Sequence, residues 1–191
     1  HSEHVRMRSD ETEIFIDRLS KGEREAFEAV FRKYYGKVFN FISSIIKSPY
    51  AEDISQDLFV RLWEKRESLA SVRSLDSYIY IMSRNAALDY VRKHRPADLP
   101  GEITDMESDF SQEDMYFAAE KELAIRLAVA AMPDKRRRIF EMSRYEGKSS
   151  SEIAAALNIS KKTVENQISL ALAQLKKLVG AIVAFGIFTS V

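Results

Sequence analysis

The chain has 191 residues, enough for one large domain or two small ones, and its 29 basic and 29 acidic side chains cancel. The absence of cysteine excludes disulfides, thiolate metal sites and a cysteine nucleophile, and is compatible with a cytoplasmic location. The net charge of zero conceals four blocks: −2 over residues 1–20, +4 over 21–95, −8 over 96–120 and +6 over 121–191. Two basic blocks around an acidic one are typical of polyanion-binding domains joined by a linker. The alternative is that these charged residues only line solvent-exposed surfaces and bind no partner.

Helical periodicity dominates the first basic block. Residues 25–47 carry apolar side chains at helical spacing, and Ser48-Pro49 is expected to end that helix. The next helix, 51–67, places its apolar residues on one side and an acidic, amide-bearing set on the other, which includes Asp53, Gln56 and Asp57. After a predicted loop, a helix over residues 75–95 begins with tyrosines and ends with cations.

The acidic block, residues 96–120, contains two prolines, one glycine and no basic residue. This composition predicts an extended or disordered linker between two domains. Residues 1–20 are set apart as an N-terminal extension, and residues 179–191 as an apolar tail. The apolar run from Leu178 to the end has 14 residues, short of the roughly 20 that span a membrane, so we expect it to pack on the protein.

The second basic block, residues 121–178, contains two helical patterns on a tight turn. Ser149 and Glu152 match the capping box that begins a helix, Asn158 can adopt the left-handed conformation that ends it, and Ser160 can cap the second helix. These features predict a helix-turn-helix. The expected inward stripe of its second helix is Val164, Ile168, Leu172 and Leu175. The predicted fold is therefore all-α: two small helical domains joined by an acidic linker, with the helix-turn-helix in the C-terminal one.

The outward face of this second helix is polar at its N-terminal end. Side chains of this kind reach base edges and phosphates when a helix enters a major groove. A basic cluster upstream, residues 135–138, could hold phosphates. We therefore predict a DNA-reading surface formed by Lys161, Lys162, Thr163, Glu165, Asn166, Gln167 and Ser169.

Three segments in order, EAFEAVFRKYYGKVFNFI, AEDISQDLFVRLWEK and LDSYIYIMSRNAALDYVRKHR, together with the helix-turn-helix, resemble the bacterial sigma-70 family, specifically its extracytoplasmic-function (ECF) group. The resemblance implies a promoter-specificity subunit of RNA polymerase. The third segment is similar to the part that reads and opens the −10 element, which implies DNA contacts by Tyr78, Tyr80, Arg84, Asn85, Arg92 and Lys93.

The resemblance also implies further contacts. Asp53, Gln56 and Asp57 would bind core polymerase, and the helix-turn-helix would read the −35 element. Its Glu165-Asn166-Gln167 stretch departs from the commoner basic pattern, which changes the bases it would prefer. The implied partners are core RNA polymerase, promoter DNA and an anti-sigma factor, in the cytoplasm, with no small-molecule substrate, no cofactor, no metal and no direct membrane insertion.

Two alternatives belong to other classes. A stand-alone helix-turn-helix regulator would share the C-terminal motif but needs a receiver or ligand domain of alternating strands and helices, for which the N-terminal half has no pattern. A nucleic-acid enzyme would need a phosphate loop, metal-ligand spacing or paired carboxylates, and the sequence has none outside the linker. We therefore predict a non-enzymatic protein.

Overall fold

The computed structural model describes residues 2–95 and 117–187, with side chains from residue 11 onward in the first range. These residues form α-helices and one 3₁₀ helix, and no strand occurs among them, so the fold is all-α as predicted. The first range holds α1 (Ser2–Ser20), α2 (Arg24–Ser43), α3 (Tyr50–Glu64), a 3₁₀ helix (Arg66–Ser71) and α4 (Leu75–His94). The second holds α5 (Phe117–Ala131), α6 (Asp134–Arg144), α7 (Ser150–Leu157) and α8 (Lys161–Ala184).

Helix α2 is the centre of the N-terminal half. Its residues Val30, Tyr34, Val38 and Phe41 recur every three or four positions and are at most 2% exposed, so they form one buried stripe. This stripe faces α3 on one side and α4 on the other. Residues 1–20, predicted only as an extension, include helix α1, which packs against α2 and the 3₁₀ helix.

A partly buried hydrogen bond fixes the start of α4 against α2. The Ser74 hydroxyl accepts from the amide of Ser77 and begins the helix. One residue into the helix, the Asp76 carboxylate accepts a hydrogen bond of 2.5 Å from the Tyr34 hydroxyl. Burial and this carboxylate raise the pKa of Tyr34, so the phenol stays protonated and keeps the contact at neutral pH.

The predicted helix-turn-helix is α7 and α8. The Ser149 hydroxyl accepts from the amide of Glu152 at 3.2 Å, and the Glu152 carboxylate accepts from the amide of Ser149 at 2.9 Å. Asn158 has φ 52° and Ser160 caps α8, so all three predicted turn features are confirmed. A small separate core joins α6, α7 and α8 and contains Ile139, Met142, Ile153, Ala154 and Val164.

The two halves pack against each other. Helix α5 contacts α4, helix α8 contacts α2, and a single apolar cluster runs through both halves. The Phe185 ring, one residue beyond α8, lies edge-on to Phe41 of α2 at 6.4 Å and to Tyr80 of α4 at 5.3 Å between ring centroids. The C-terminal end of α8 is thus inserted into the N-terminal half.

Three predicted boundaries need correction. Helix α5 begins at Phe117, four residues inside the predicted linker, whose remaining residues 96–116 lie outside the described part of the chain. The predicted loop before α4 begins with the 3₁₀ helix. The predicted tail from residue 179 is no separate segment up to Ala184, because α8 continues through it; residues 188–191 lie outside the described range.

The inward stripe of α8 was also predicted wrongly at one position. Leu172 is 56% exposed, whereas Ala171 is fully buried. Among the described helices, α8 is also the one long and apolar enough to cross a membrane by length and composition. A core helix of a soluble protein meets the same criterion, and the buried face of α8 packs on α2, α5, α6 and α7.

Candidate nucleic-acid and protein interfaces

The N-terminal end of α8 presents the predicted DNA-reading residues together. Lys161, Lys162, Glu165, Asn166 and Ser169 are exposed. The Ser160 hydroxyl accepts from the Thr163 amide at 3.0 Å and lies 2.8 Å from the Thr163 hydroxyl, so Thr163 is half-buried in the cap. The exposed side chains at this end of α8 are therefore two cations, a carboxylate, an amide and a hydroxyl.

Gln167 is held by a cation from a neighbouring helix. The Arg136 Nε of α6 donates to the Gln167 Oε1 at 3.2 Å. This bond occupies the amide oxygen and leaves the amide NH₂ as a directed donor. Lys161 lies 3.9 Å from the Glu165 carboxylate, but both are more than half exposed, so this pair contributes little stability.

The six residues predicted to contact the −10 element divide into two groups. Asn85 and Arg92 are half-buried and Lys93 is exposed, whereas Tyr78, Tyr80 and Arg84 are at most 8% exposed. In this conformation DNA can reach the first group directly. It cannot reach the second group until neighbouring residues move.

Glu120 of α5 binds two of the buried residues. Its carboxylate forms a buried ion pair with the Arg84 guanidinium and accepts a hydrogen bond of 3.3 Å from the Tyr80 hydroxyl. Burial and then the charge of Glu120 raise the pKa of Tyr80, so the phenol stays protonated as a donor. The partner of α4 at this point is therefore a carboxylate from the other half of the chain.

A groove of about 470 Å³ lies between α3 and α4. Asp57 and Arg61 line it from α3, and Asn85, Arg92 and Lys93 line it from α4. Asp53 and Gln56 are exposed on α3, as predicted. The groove therefore connects the α3 face that is predicted to bind polymerase with Asn85, Arg92 and Lys93, the accessible residues among those predicted to contact the −10 element.

Sequence reasoning missed the roles of Glu120 and Phe185. Glu120 was assigned to the linker because the acidic run concealed the start of α5, and Phe185 was assigned to the tail. Glu120 lies three positions before the apolar Leu123. Helical periodicity would therefore have placed the Glu120 carboxylate on the buried side of the helix. Among the side chains that the structure describes, those of residues 11–95 and 117–187, no group of three His, Cys, Asp or Glu could hold a metal ion.

The helix-turn-helix that follows the four N-terminal helices places the chain in the class of helix-turn-helix DNA-binding proteins. Comparison with known protein families identifies the family within that class. Residues 30–97 match "Sigma-70 region 2", and residues 122–175 match "Sigma-70, region 4". The chain belongs to the sigma-70 family, in its ECF group, and is a promoter-recognising sigma subunit. The stand-alone regulator is not favoured, because region 2 precedes region 4. The family consists of DNA-binding initiation factors rather than enzymes.

The chain is similar to several proteins of this group over most of its length. It is 26% identical over 175 residues to the ECF RNA polymerase sigma factor RpoE of Cereibacter sphaeroides, covering 89% of this chain and 97% of that protein. It is 27% identical over 165 residues to SigW of Bacillus subtilis, covering 80% and 88%. Among solved structures, it is similar to CnrH in complex with the cytosolic domain of CnrY, with 23% identity, TM-score 0.37 and coverage of 88% and 97%.

Proposed function

We propose that the chain joins core RNA polymerase through α3 and positions promoter DNA at two sites, with α4 on the −10 element and α8 on the −35 element. On this proposal residues 21–95 are the melting and polymerase-binding domain and residues 121–178 the upstream-reading domain. The single observation that carries it is the order of the two family matches, region 2 before region 4, on helices that expose polar faces.

The polymerase-binding assignment is supported by exposure and charge. Asp53 and Gln56 project into solvent from α3, and Asp57 lines the groove beside them. A carboxylate and amide face of this kind suits a partner surface rich in arginine, because guanidinium groups form charge-assisted bonds to carboxylates. The family implies core RNA polymerase as that partner.

The test is assembly followed by transcription. Purified chain mixed with core polymerase should co-elute in gel filtration, and the complex should begin run-off transcripts at a defined promoter. Asp53→Arg with Asp57→Arg should abolish co-elution, and either reversal alone should weaken it, whereas Glu122→Arg, a matched single charge reversal on the exposed side of α5, should not. Failure of the unaltered chain to co-elute would refute the proposal.

The −35 assignment is supported by the outward position of Asn166 beside Glu165. An asparagine can bind the N6 and N7 edge of adenine, so Asn166→Ala is expected to weaken binding at one or two upstream base pairs by about 1 to 3 kcal/mol. The measurement is holoenzyme affinity for a set of single-base promoter variants.

Lys162→Ala is the contrasting variant. Lys162 is exposed near the N-terminus of α8. Its replacement by alanine should therefore weaken the binding of the holoenzyme about equally to every promoter variant, and should reduce the salt dependence of the affinity by about one phosphate contact. A uniform loss from Asn166→Ala as well would contradict its assignment to a base.

The −10 assignment is supported by the combination of cations and amides on α4. Asn85 offers hydrogen bonds to a base edge, while Arg92 and Lys93 can follow a phosphate backbone. The aromatic rings of Tyr78 and Tyr80 suit stacking on an extruded base, an interaction worth about 1 to 3 kcal/mol. Strand binding of this kind offsets unpairing, so melting requires no reaction by the chain itself.

The family resemblance also supports two finer assignments. A cytoplasmic location agrees with the absence of cysteine and with a polymerase partner. An anti-sigma factor is the regulatory partner that the family implies, and it would prevent promoter use by covering α3, α4 or the N-terminal end of α8.

A further inference from the structure

We infer that Arg136 of α6 sets the base preference of Gln167 on α8, so that this glutamine favours guanine instead of the adenine that a free amide side chain favours. The inference rests on the proposed reading of the −35 element by α8. It adds a positioning residue that lies outside α8, and it names the base at which the effect of that residue is measured.

The hydrogen bond between the two side chains fixes the orientation of the Gln167 amide. The Arg136 Nε donates to the Gln167 Oε1 at 3.2 Å, and both residues are half-buried. A guanidinium carries donors and no acceptor, so the amide atom that meets it must be the oxygen. The amide NH₂ is therefore the part of Gln167 that remains available to a ligand, and it can only donate.

The packing beside this bond holds α6 and α8 together. Ile139, three positions after Arg136 on α6, and Val164, three positions before Gln167 on α8, are fully buried in the same small core. Positions three apart share one side of a helix, so the bonded pair lies about one turn from this core on both helices. The bond is therefore attached to a fixed contact between the two helices.

The charge of Arg136 is not neutralised by a carboxylate from the described part of the chain. Its neighbour Arg137 pairs with Asp134 at 3.3 Å, whereas no ion pair among residues 11–95 and 117–187 includes Arg136. A positive charge therefore lies beside the Gln167 amide. This charge repels the hydrogen-bond donors of a base edge that approaches the amide, and it attracts the acceptors.

The major-groove edges of the bases differ in how they meet this arrangement. A free glutamine amide pairs with adenine by accepting from the N6 amino group and donating to N7. At Gln167 the first of these contacts would bring an amino group against the guanidinium that already binds Oε1. Guanine offers two acceptors, N7 and O6, and no donor at this edge, so guanine is the base that the pair is expected to favour.

The preceding residue provides a comparison within the chain. Asn166 is exposed, and its amide forms no hydrogen bond with another residue of the described ranges. Its oxygen and its NH₂ are both available, so Asn166 keeps the adenine preference of a free amide. Two adjacent amides on α8 should therefore prefer different bases, and the difference should come from a side chain of α6.

The test measures the affinity of the holoenzyme, formed from the full chain and core polymerase, for promoter duplexes with each base in turn at every −35 position. Gln167→Ala first identifies the position at which the base preference depends on this residue. There the unaltered chain should favour guanine, and Arg136→Ala should lower the ratio of guanine to adenine affinity by about 10-fold. A merely weakened fold would lower both affinities alike and leave this ratio unchanged.

Arg138→Ala is the matched control. Arg138 belongs to the same basic cluster and is exposed, so its truncation should weaken binding to all four bases alike. Arg136→Ala combined with Gln167→Ala should give the same ratio as Gln167→Ala alone. A further fall in the combined variant would show that Arg136 reads the base itself, and would overturn the inference. An unchanged ratio in Arg136→Ala would overturn it too.

Gln167→Glu is a second test that leaves the size of the side chain almost unchanged. The carboxylate keeps one oxygen for Arg136 and presents its other oxygen in place of the NH₂. A carboxylate accepts from the amino group of cytosine, so the preferred base should change from guanine to cytosine. A guanine preference that survives in Gln167→Glu would contradict the inference.

Failure of the proposed function gives a different result. If the unaltered chain forms no holoenzyme that binds a promoter, the assignment of α8 to the −35 element fails, and the inference fails with it. If the holoenzyme binds but Gln167→Ala changes the base preference at no position, the family function stands and the inference about Gln167 alone fails.

Discussion

Phe41→Ala is expected to lower the free energy of unfolding by about 3 to 5 kcal/mol, because truncation of its fully buried ring leaves a cavity that the surrounding core fills only in part. The ring contacts Tyr80 of α4 and Phe185 beyond α8, so the cavity opens where the two halves meet. Denaturation in guanidinium chloride followed by far-ultraviolet circular dichroism measures the loss as a shift of the midpoint.

Phe31→Ala is the matched control on the same helix. Phe31 is 40% exposed and stacks on Tyr35 near the surface, so its truncation removes less buried area and leaves no closed cavity. Its expected loss is less than half that of Phe41→Ala. Equal losses in the two variants would show that the Phe41 site collapses on truncation or is solvated in solution.

Ile153→Ala is expected to destabilise the helix-turn-helix by about 2 to 5 kcal/mol. Ile153 is fully buried in the small core of α6, α7 and α8, which has only five buried members and so little else to replace the lost contacts. Hydrogen exchange should accelerate in α6 and α7 while α2 and α4 keep their protection. Binding to the −35 element should fall with it.

Leu172→Ala is the control for this prediction. Leu172 lies on α8 but is 56% exposed, so truncation should change stability by less than about 0.5 kcal/mol. Faster exchange throughout α2 and α4 in Ile153→Ala would contradict a separate core, because it would mean that both halves unfold as one unit.

The local elements of this fold were predictable because their determinants lie within a few residues of one another. The capping box joins Ser149 to Glu152, the left-handed turn is confined to Asn158, and the Ser160 cap reaches only to Thr163. Side chains three positions apart in a helix start meet without help from the rest of the protein. Sequence reading is therefore accurate at such points.

The stripe of α8 shows where local reading failed. Val164, Ala171, Leu175, Leu178 and Ile182 are buried at intervals of three, four or seven, with the half-buried Ile168 between the first two. Ala181 beside Ile182 is buried as well, and Phe185 continues the stripe one residue beyond the helix. A spacing of four from Ile168 predicts Leu172 in this stripe, whereas Ala171 is the buried residue. Helix α8 packs on α2 and α5 beyond the turn, where close approach favours the smaller residue.

The burial of Tyr80 and Arg84 could not be predicted, because it depends on partners far away in the chain. Glu120 lies 40 positions after Tyr80 and 36 after Arg84, across the acidic block. An aromatic and a cation on α4 have the same helical spacing whether they face DNA or another helix. Only the packing of the two halves distinguishes these environments.

The unbroken course of α8 has a mechanical consequence. At 1.5 Å per residue, its 24 residues form a rod of about 36 Å, with Asn166 near one end and Ile182 near the other. A tilt of roughly 10° about the C-terminal end would displace the N-terminal end by about 6 Å, nearly two base-pair steps of the duplex. The spacing between the two promoter elements that this sigma subunit accepts should therefore depend on side chains at the far end of the rod, such as Ile182, about 24 Å from Asn166 along the helix axis.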